Sequence, residues 1–288
     1  MLNLVTVENV DPSLINTLYR EKKIEREEVV NHLEDHGGFF LLRNGSQSAL
    51  VCALDDDLHL INSKELEFQG VKPLDAPQTC LLWAMNNLDL SVGLGLAGSG
   101  KTFLSVAYGL HQLFKKEKKL VLLKPTVFVG GNSNAIGTVP GDVREKLAPY
   151  IDSWLTHFYK ILGKSAEHFM YEFEEEKKVE FSAVELCRGR HFEDSVVILD
   201  EAQNLSLHEL LSVVSRVADS SQLILLGDPQ QIDTKRRWKE SGLYQVLNSE
   251  TYYESEDVNG IRLETTYRGR LSELASEILY ELNEDEEE

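Results

Sequence analysis

The segment "GLAGSGKT" carries the residues best suited to chemistry, because Gly95, Gly100, Lys101 and Thr102 follow the pattern G-x-x-x-x-G-K-[ST]. Backbone N–H groups of this small-residue loop would surround a phosphate, helped by the positive end of the helix that follows. Lys101 would bridge the β- and γ-phosphates, and the Thr102 hydroxyl would ligate Mg²⁺. The pattern therefore predicts a site for ATP and Mg²⁺. The residues assigned to ATP in this loop are Gly95, Ala97, Gly98, Ser99, Gly100, Lys101 and Thr102.

Two adjacent carboxylates, Asp200 and Glu201, end the apolar run in "SVVILDEAQN". Carboxyl ends of neighbouring parallel strands open onto one crevice, so this strand end can face the phosphate loop. Asp200 would then hold Mg²⁺ through water, and Glu201 would act as the general base on the attacking water. Taken alone, the two acids also suit the start of the next helix. Together with the phosphate loop they favour ATP hydrolysis.

Three further polar residues are candidates for the same site. Gln231, in "QLILLGDPQQID", could contact the γ-phosphate or the attacking water, although turn chemistry alone also explains the Gly-Asp-Pro sequence. Arg268, in "TYRGR", could stabilise transition-state charge or simply be solvated at a helix start. Gln78 precedes the loop by about twenty residues and could pair with the adenine edge, or be a solvated amide.

The elements that would position these residues alternate between apolar runs and amphipathic helical patterns beyond "GVKP". We predict an α/β fold in which helices cover both faces of a parallel sheet. The predicted strands are 91–96, 119–125, 195–200, 222–228 and 261–266, and the predicted helices are 101–115, 141–161, 206–218, 239–248 and 269–283.

The first part of the chain has a different pattern, with a polar helical stretch over 12–36 followed by short strand-like runs. We therefore predict a small α+β appendage over 1–70 and an ATPase domain over 71–288 that ends in an acidic tail.

Composition narrows the function classes. The 288 residues carry a formal net charge of -19, which argues against non-specific coating of nucleic acid but leaves room for a local basic groove. Cys52, Cys80 and Cys187 are widely spaced and predict reduced core thiols rather than a disulfide framework or a zinc site. A leader-like start and a long apolar stretch are both missing, so we expect a cytoplasmic protein with no membrane span.

The segments "GLAGSGKT", "PGDVREKLAPY", "ILDEAQN" and "GDPQQID" together resemble the PhoH family of P-loop ATPases. The core of that family is similar to a single RecA-like domain of superfamily 1 helicases, and the resemblance covers about 75–288. It implies that Gln78 takes the adenine-recognising position, Gln231 the γ-phosphate sensor position and Arg268 the phosphate-contacting position.

The resemblance also implies an activity and partners. Family members are ATPases, some with RNA helicase activity and many forming rings, so we expect an ATP hydrolase directed at RNA or single-stranded nucleic acid. A homo-oligomeric ring, such as a hexamer, would supply what a single RecA-like core lacks. The candidate nucleic-acid surface is 124–142 with Arg188 and Arg190. One family branch carries a PIN ribonuclease domain, but residues 1–70 are too short for one, so we expect no nuclease activity.

Two alternative functions remain. A nucleotide-gated binding or scaffold protein with little turnover would be expected if Lys101 or Glu201 were replaced, and both residues are present. A small-molecule kinase would need an acceptor pocket and an arginine-rich lid, and no arginine cluster follows the phosphate loop in the sequence.

Overall fold

The computed structural model describes residues 2–26, 38–54, 56–126, 143–233, 237–267 and 269–270, together with 274 and 278. The helices are α1 (Pro12–Glu21), α2 (Ala76–Asn87), α3 (Lys101–Lys116), α4 (Val143–Leu162), α5 (Ala166–Glu175), α6 (Leu207–Val214), α7 (Gly242–Leu247) and α8 (Glu250–Glu254). The strands are β1 (Val5–Val7), β2 (Lys23–Glu25), β3 (Gly38–Asn44), β4 (Gln47–Leu54), β5 (Asp57–Leu60), β6 (Leu90–Gly95), β7 (Lys119–Lys124), β8 (Val179–Ala183), β9 (Ser195–Leu199), β10 (Gln222–Gly227) and β11 (Val258–Leu263).

Within these residues, six strands form a fully parallel sheet in the order β11-β6-β10-β9-β7-β8. Their side chains alternate between two hydrophobic cores, as a strand buried on both faces requires. In β9, for example, Ile198 faces the core shared with α2, α3 and α4, whereas Val197 and Leu199 face the core shared with α6, α7 and α8. The predicted α/β class, with a parallel sheet sandwiched by helices, is confirmed.

The sheet order explains how the site is assembled. β6, which leads into the phosphate loop, and β9, which leads into the acidic pair, are separated by β10. All three strands run in the same direction, so their carboxyl ends meet at one edge of the sheet. This edge carries the phosphate loop and the acidic pair, Asp200 and Glu201.

The N-terminal part forms a second sheet in the order β1-β3-β4-β5-β2, and α1 packs on it through Ile15 and Leu18. α1 begins where the Asp11 side chain accepts a hydrogen bond from Ser13 N. It ends before Lys22, which has a left-handed φ of 70°. The prediction of one helical stretch over 12–36 was therefore wrong beyond α1, because β2 follows at once; residues 27–37 lie outside the described part of the chain.

The two sheets share packing. The rings of Phe39 and Trp83 of α2 pack edge to face with their centres 6.1 Å apart. The rings of Phe68 and Tyr108 of α3 pack in the same way with their centres 5.2 Å apart. The main-chain N–H of Arg262 in β11 donates to Leu2 O at 2.7 Å. One hydrophobic core contains residues from both sides of the boundary predicted at residue 70. The division of the chain into 1–70 and 71–288 stays a prediction.

Several boundaries differ from the sequence analysis. α2, α5 and β8 were not predicted, while the helix predicted over 239–248 is limited to α7. Gly242 begins α7 in close contact with the Ser206 main chain, where a Cβ would lie 2.6 Å from an atom of that residue. The helix predicted over 269–283 lies almost entirely outside the described residues. Across the described ranges, the helices are all too short or too polar to cross a membrane.

Candidate functional site

The phosphate loop connects β6 to α3 and depends on glycine at three points. Gly95, Gly98 and Gly100 have φ values of 143°, 85° and 94°, which residues with a Cβ rarely adopt. A Cβ on Gly95 would also lie 2.2 Å from the Leu263 main-chain oxygen of β11. The strand and the loop can therefore approach their neighbours only with glycine at these positions.

Lys101 and Thr102 are the first two residues of α3. The Lys101 ammonium is buried and donates to the loop carbonyls of Gly95 and Leu96, so it lies inside the loop. Thr102 Oγ1 donates to Asp200 Oδ2 at 3.2 Å. The two residues assigned to Mg²⁺ from the sequence are thus brought together across the sheet edge.

Asp200 is buried at the end of β9, and its main-chain N–H donates to Leu123 O at 2.9 Å. Burial raises the pKa of its carboxyl to about 6, and the neighbouring Glu201 carboxylate adds to the increase; Lys124 and Lys101 oppose it. A buried carboxylate with this environment is stabilised in its charged form by a nearby cation. Hydroxyl and carboxylate oxygens are ligands that Mg²⁺ prefers, so the Thr102–Asp200 pair fits this ion.

Glu201 adopts a left-handed backbone conformation with φ 57°, a strained geometry for a residue with a long side chain. Its carboxylate is held from two sides. Lys124 Nζ at the end of β7 lies 3.6 Å from Oε1, and Gln203 Nε2 donates to Oε2 at 2.7 Å. The proposed general base therefore has a fixed position at the sheet edge.

Gln203 is a site residue that the sequence analysis missed. It is fully buried, and besides Glu201 its Nε2 contacts Gln231 O at 2.8 Å. Its Oε1 accepts from Asp228 N at 3.1 Å. One amide thus connects the end of β9 to the segment after β10. Its place two residues after Glu201 in "DEAQ" was the signal that could have identified it.

Gln231 and Asp228 lie in that segment. The main chain of Gln231 is held by Gln203 and by its own N–H, which donates to Asp228 O at 3.1 Å. Burial raises the pKa of Asp228, while Lys101 and the main-chain N–H of Gln230 lower it. Asp228 is therefore a second buried acid that faces the phosphate-loop lysine.

Gln78, which the family resemblance assigns to adenine recognition, is hydrogen-bonded to the main chain here. It lies in the first turn of α2, is 3% exposed, and both ends of its amide bond to main chain. Nε2 donates to Ser99 O at 2.9 Å, and Oε1 accepts from Leu74 N at 2.8 Å. The structure therefore places the Gln78 amide against the phosphate loop.

The other predicted contacts are described only in part. Arg268 lies outside the described residues, as do 127–142 of the candidate nucleic-acid surface. Arg190 forms an ion pair with Glu180 and lies 5.3 Å from the Phe192 ring centre. Arg188 is exposed beside it. Of these two arginines, Arg188 is the one placed to meet a large polyanion.

Comparison with known proteins gives the family of this site. The family model described as "PhoH-like protein" matches residues 70–280, which include the phosphate loop, the acidic pair and Gln231. The chain belongs to the PhoH family. The family resemblance seen in the sequence is thus confirmed, and with it the P-loop nucleotide-binding class.

Relatives of this PhoH-family chain are longer than it is. Protein PhoH2 of Bacillus subtilis is 29% identical over 284 residues, covering 94% of this chain and 62% of the relative. The PhoH-like protein of the same organism is 37% identical over 161 residues, covering 56% of this chain and 48% of the relative. Protein PhoH of Escherichia coli K12 is 28% identical over 254 residues, covering 87% and 67%. The chain thus spans about half to two thirds of these relatives.

A solved structure, that of Pif1 helicase from Candida albicans, is similar with a TM-score of 0.37 and 18% identity. It covers 74% of this chain and 44% of the helicase chain.

Proposed function

We propose that this PhoH-family protein hydrolyses ATP with Mg²⁺. The observation that carries the proposal is the 3.2 Å contact between Thr102 Oγ1 and Asp200 Oδ2. This contact supports the proposal, because the hydroxyl proposed to ligate Mg²⁺ lies beside the first carboxylate of the acidic pair, and the general-base candidate Glu201 follows immediately in the chain. Phosphate binding, metal binding and activation of water would then take place at one sheet edge.

In this mechanism each residue has a limited task. The phosphate-loop N–H groups and Lys101 would bind the phosphates. Thr102 and Asp200 would hold Mg²⁺, which would supply neutralisation of negative charge on the triphosphate. Glu201 takes a proton from the attacking water, and Gln203 fixes the direction of that carboxylate.

Gln231 completes the arrangement as a sensor of the γ-phosphate. Its main chain is joined to Glu201 through Gln203, so a change at the phosphate would reach the segment after β10. Arg268 follows Tyr267, whose main-chain N–H donates to Gly98 O in the phosphate loop, and is proposed to contact phosphate in the transition state.

The proposed partner on which ATP hydrolysis acts is RNA or single-stranded nucleic acid, and the proposed working form is a cytoplasmic homo-oligomeric ring. The family resemblance supports nucleic acid as the partner, and Arg188 is an exposed cation that would contact it. The three buried thiols Cys52, Cys80 and Cys187 are free, which suits a reducing compartment.

The test is steady-state hydrolysis of ATP with Mg²⁺, with and without single-stranded RNA, by the wild-type chain, Lys101→Ala and Glu201→Gln. We expect wild-type turnover that RNA stimulates and that both substitutions lower by at least about 10²-fold. Wild-type turnover no faster than that of the variants would exclude hydrolysis. A nucleotide-gated binder would then be the better description.

A further inference from the structure

Two successive carbonyls of the phosphate loop are held from outside the loop. Tyr267 N donates to Gly98 O at 3.0 Å, and Gln78 Nε2 donates to Ser99 O at 2.9 Å. Tyr267 follows β11 and Gln78 lies on α2, so the two donors come from segments far apart in the chain. The loop is thus fixed at its tip by tertiary contacts as well as by its own glycines.

The two donors are also connected to each other through Asp75, the residue that caps α2. Its Oδ1 accepts from Gln78 N at 2.7 Å, and its Oδ2 accepts from the Tyr267 hydroxyl at 2.7 Å. Desolvation and the Asp75 carboxylate raise the pKa of Tyr267 to about 12, so the phenol stays protonated and can donate at neutral pH. Asp75, Gln78 and Tyr267 therefore form one hydrogen-bonded unit, which we call the loop clamp.

The geometry of the peptide bond gives this clamp a function. In a trans peptide the C=O and the N–H of the next residue point in opposite directions. By holding Ser99 O, Gln78 fixes the direction of the Gly100 N–H, one of the groups that the phosphate-loop pattern directs at phosphate. Gln78 Nε2 would lie 3.1 Å from a Cβ on Gly100, so the amide packs directly against this peptide.

The same contacts occupy the amide groups with which Gln78 would recognise the adenine base. Both ends of its amide have a main-chain partner, and the side chain is almost completely buried. Reading adenine would require breaking a buried hydrogen bond, which costs about 1–3 kcal/mol when the group left behind has no new partner.

We infer that Gln78 is a positioning residue of the phosphate loop, and that the loop clamp makes the site select nucleoside triphosphates through their phosphates and not through a Gln78 contact to the base. The inference rests on the proposed function in one respect, namely that a triphosphate binds here.

The test measures the dissociation constants of ATP, GTP and inorganic tripolyphosphate, each with Mg²⁺, for the wild-type chain and Gln78→Glu. Glutamate keeps the acceptor towards Leu74 N but cannot donate to Ser99 O. We expect all three affinities to fall by the same factor, about tenfold, because only the phosphate cradle is disturbed. A loss confined to ATP, or no loss for any ligand, would overturn the inference.

Tyr267→Phe provides a second, milder variant, since it removes the hydroxyl bond to Asp75 and keeps the main-chain bond to Gly98 O. We expect a base-independent loss of about threefold. Gln245→Ala is the matched control, because this exposed amide bonds to Glu240 O away from the loop. It should leave all three constants unchanged.

Two readouts separate the possible failures. Amide hydrogen exchange at Gly100 in the ligand-free chain should be faster in Gln78→Glu than in wild type, and this does not depend on any ligand; unchanged exchange would contradict the clamp alone. Failure of all three ligands to bind the wild-type chain would overturn the proposed function, and the selectivity part of the inference with it. Thermal unfolding of each variant confirms that binding is compared between folded chains.

Discussion

Gln203 Nε2 lies 2.7 Å from Glu201 Oε2 and 2.8 Å from the main-chain oxygen of Gln231, so one buried amide joins the general-base candidate to the γ-phosphate sensor candidate. Its other end accepts from Asp228 N. Because all of its polar atoms are engaged, the side chain has one orientation, and the Glu201 carboxylate takes its direction from it.

Replacing Gln203 with glutamate should reduce turnover far more than substrate affinity. The new carboxylate can still accept from Asp228 N, but it cannot donate to Glu201 and it places a like charge beside it. We expect kcat to fall about 10²-fold with KM changed by less than about threefold, measured by steady-state hydrolysis.

The matched control is Gln222→Glu, a partly buried glutamine at the opposite end of β10 that bonds to Met85 O and Leu88 O. It should lower stability without changing kcat. Equal losses of kcat in both variants would show that the Gln203 effect is only structural.

Asp200→Asn should stabilise the chain in the absence of Mg²⁺ and remove its response to the metal. At pH 7.5 the buried carboxylate is mostly ionised despite its raised pKa of about 6, so its desolvation opposes folding. We expect the free energy of unfolding to rise by about 1 kcal/mol. We also expect ATP to raise the melting temperature of wild type more with Mg²⁺ than with chelator, and that of the variant equally under both conditions.

Asp233→Asn is the control for this comparison, since Asp233 bonds to Asn204 and not to Thr102. Its Mg²⁺-dependent shift in melting temperature should match that of wild type. If Asp200→Asn keeps the full shift as well, Asp200 does not hold the metal.

Gly95→Ala should destabilise the chain more than an alanine at another glycine of positive φ. The new Cβ would meet the Leu263 main-chain oxygen at 2.2 Å, so β6 and β11 must separate. We expect a loss of about 3 kcal/mol or more from strain and overpacking together, measured by urea unfolding. Gly163→Ala, with φ 62° and nothing within 4 Å, should lose only about 1 kcal/mol; similar losses would rule out the contact with Leu263 as the cause.

The ends of strands in the parallel sheet were predicted closely where an apolar run was followed directly by residues of a turn or of the candidate site. β9 ends at Leu199, directly before Asp200. β8 was missed because its sequence "VEFSA" is short and mixes polar with apolar residues, as suits a strand at the edge of the sheet. α2 was missed because its residues are apolar almost all round, and a buried helix gives no amphipathic period.

At the site, residue types were predictable and partners were not. The types at Lys101, Thr102 and Asp200 follow from the chemistry of phosphate and Mg²⁺. The contact of Gln78 with Ser99 O depends instead on how α2 packs against the loop, which no local pattern encodes. The assignment of Gln78 to the adenine base stays a prediction, and what the fold adds is the bond between its amide and the main chain.

Asp89→Asn should stabilise the chain at neutral pH and have little effect in acid. Burial, Asp257 and Asp219 raise the pKa of Asp89 above its usual 3.8, so the folded state holds the proton more tightly than the unfolded state. The stability associated with this group is present below pH 3.8 and is lost as the pH rises through the raised pKa. We expect a gain of about 0.5 kcal/mol at pH 7 that disappears near pH 3.5, measured by urea unfolding. An equal gain at both pH values would exclude charge repulsion.

Replacing Arg188 and Arg190 one at a time should distinguish an effect on nucleic-acid binding from an effect on stability. Arg190 is engaged by Glu180, so Arg190→Ala should lower the melting temperature, with a loss of about 1–2 kcal/mol. Arg188 is exposed, so Arg188→Ala should leave the melting temperature unchanged and weaken single-stranded RNA binding by about threefold at low salt. Fluorescence anisotropy with labelled RNA checks both variants; unchanged affinity in Arg188→Ala would remove this surface from the proposal.

The position of β6 between β10 and β11 has a consequence for folding during synthesis. The phosphate loop leaves the ribosome long before β10 and β11, the two strands that flank β6, have been made. Tyr267, whose N–H donates to Gly98 O, is made later still. A nascent chain that stops before β11 has the motif but cannot complete the strand from which the loop projects. Binding of a nucleotide would therefore follow the synthesis of β11, and products that stop before this strand would carry "GLAGSGKT" without a complete site.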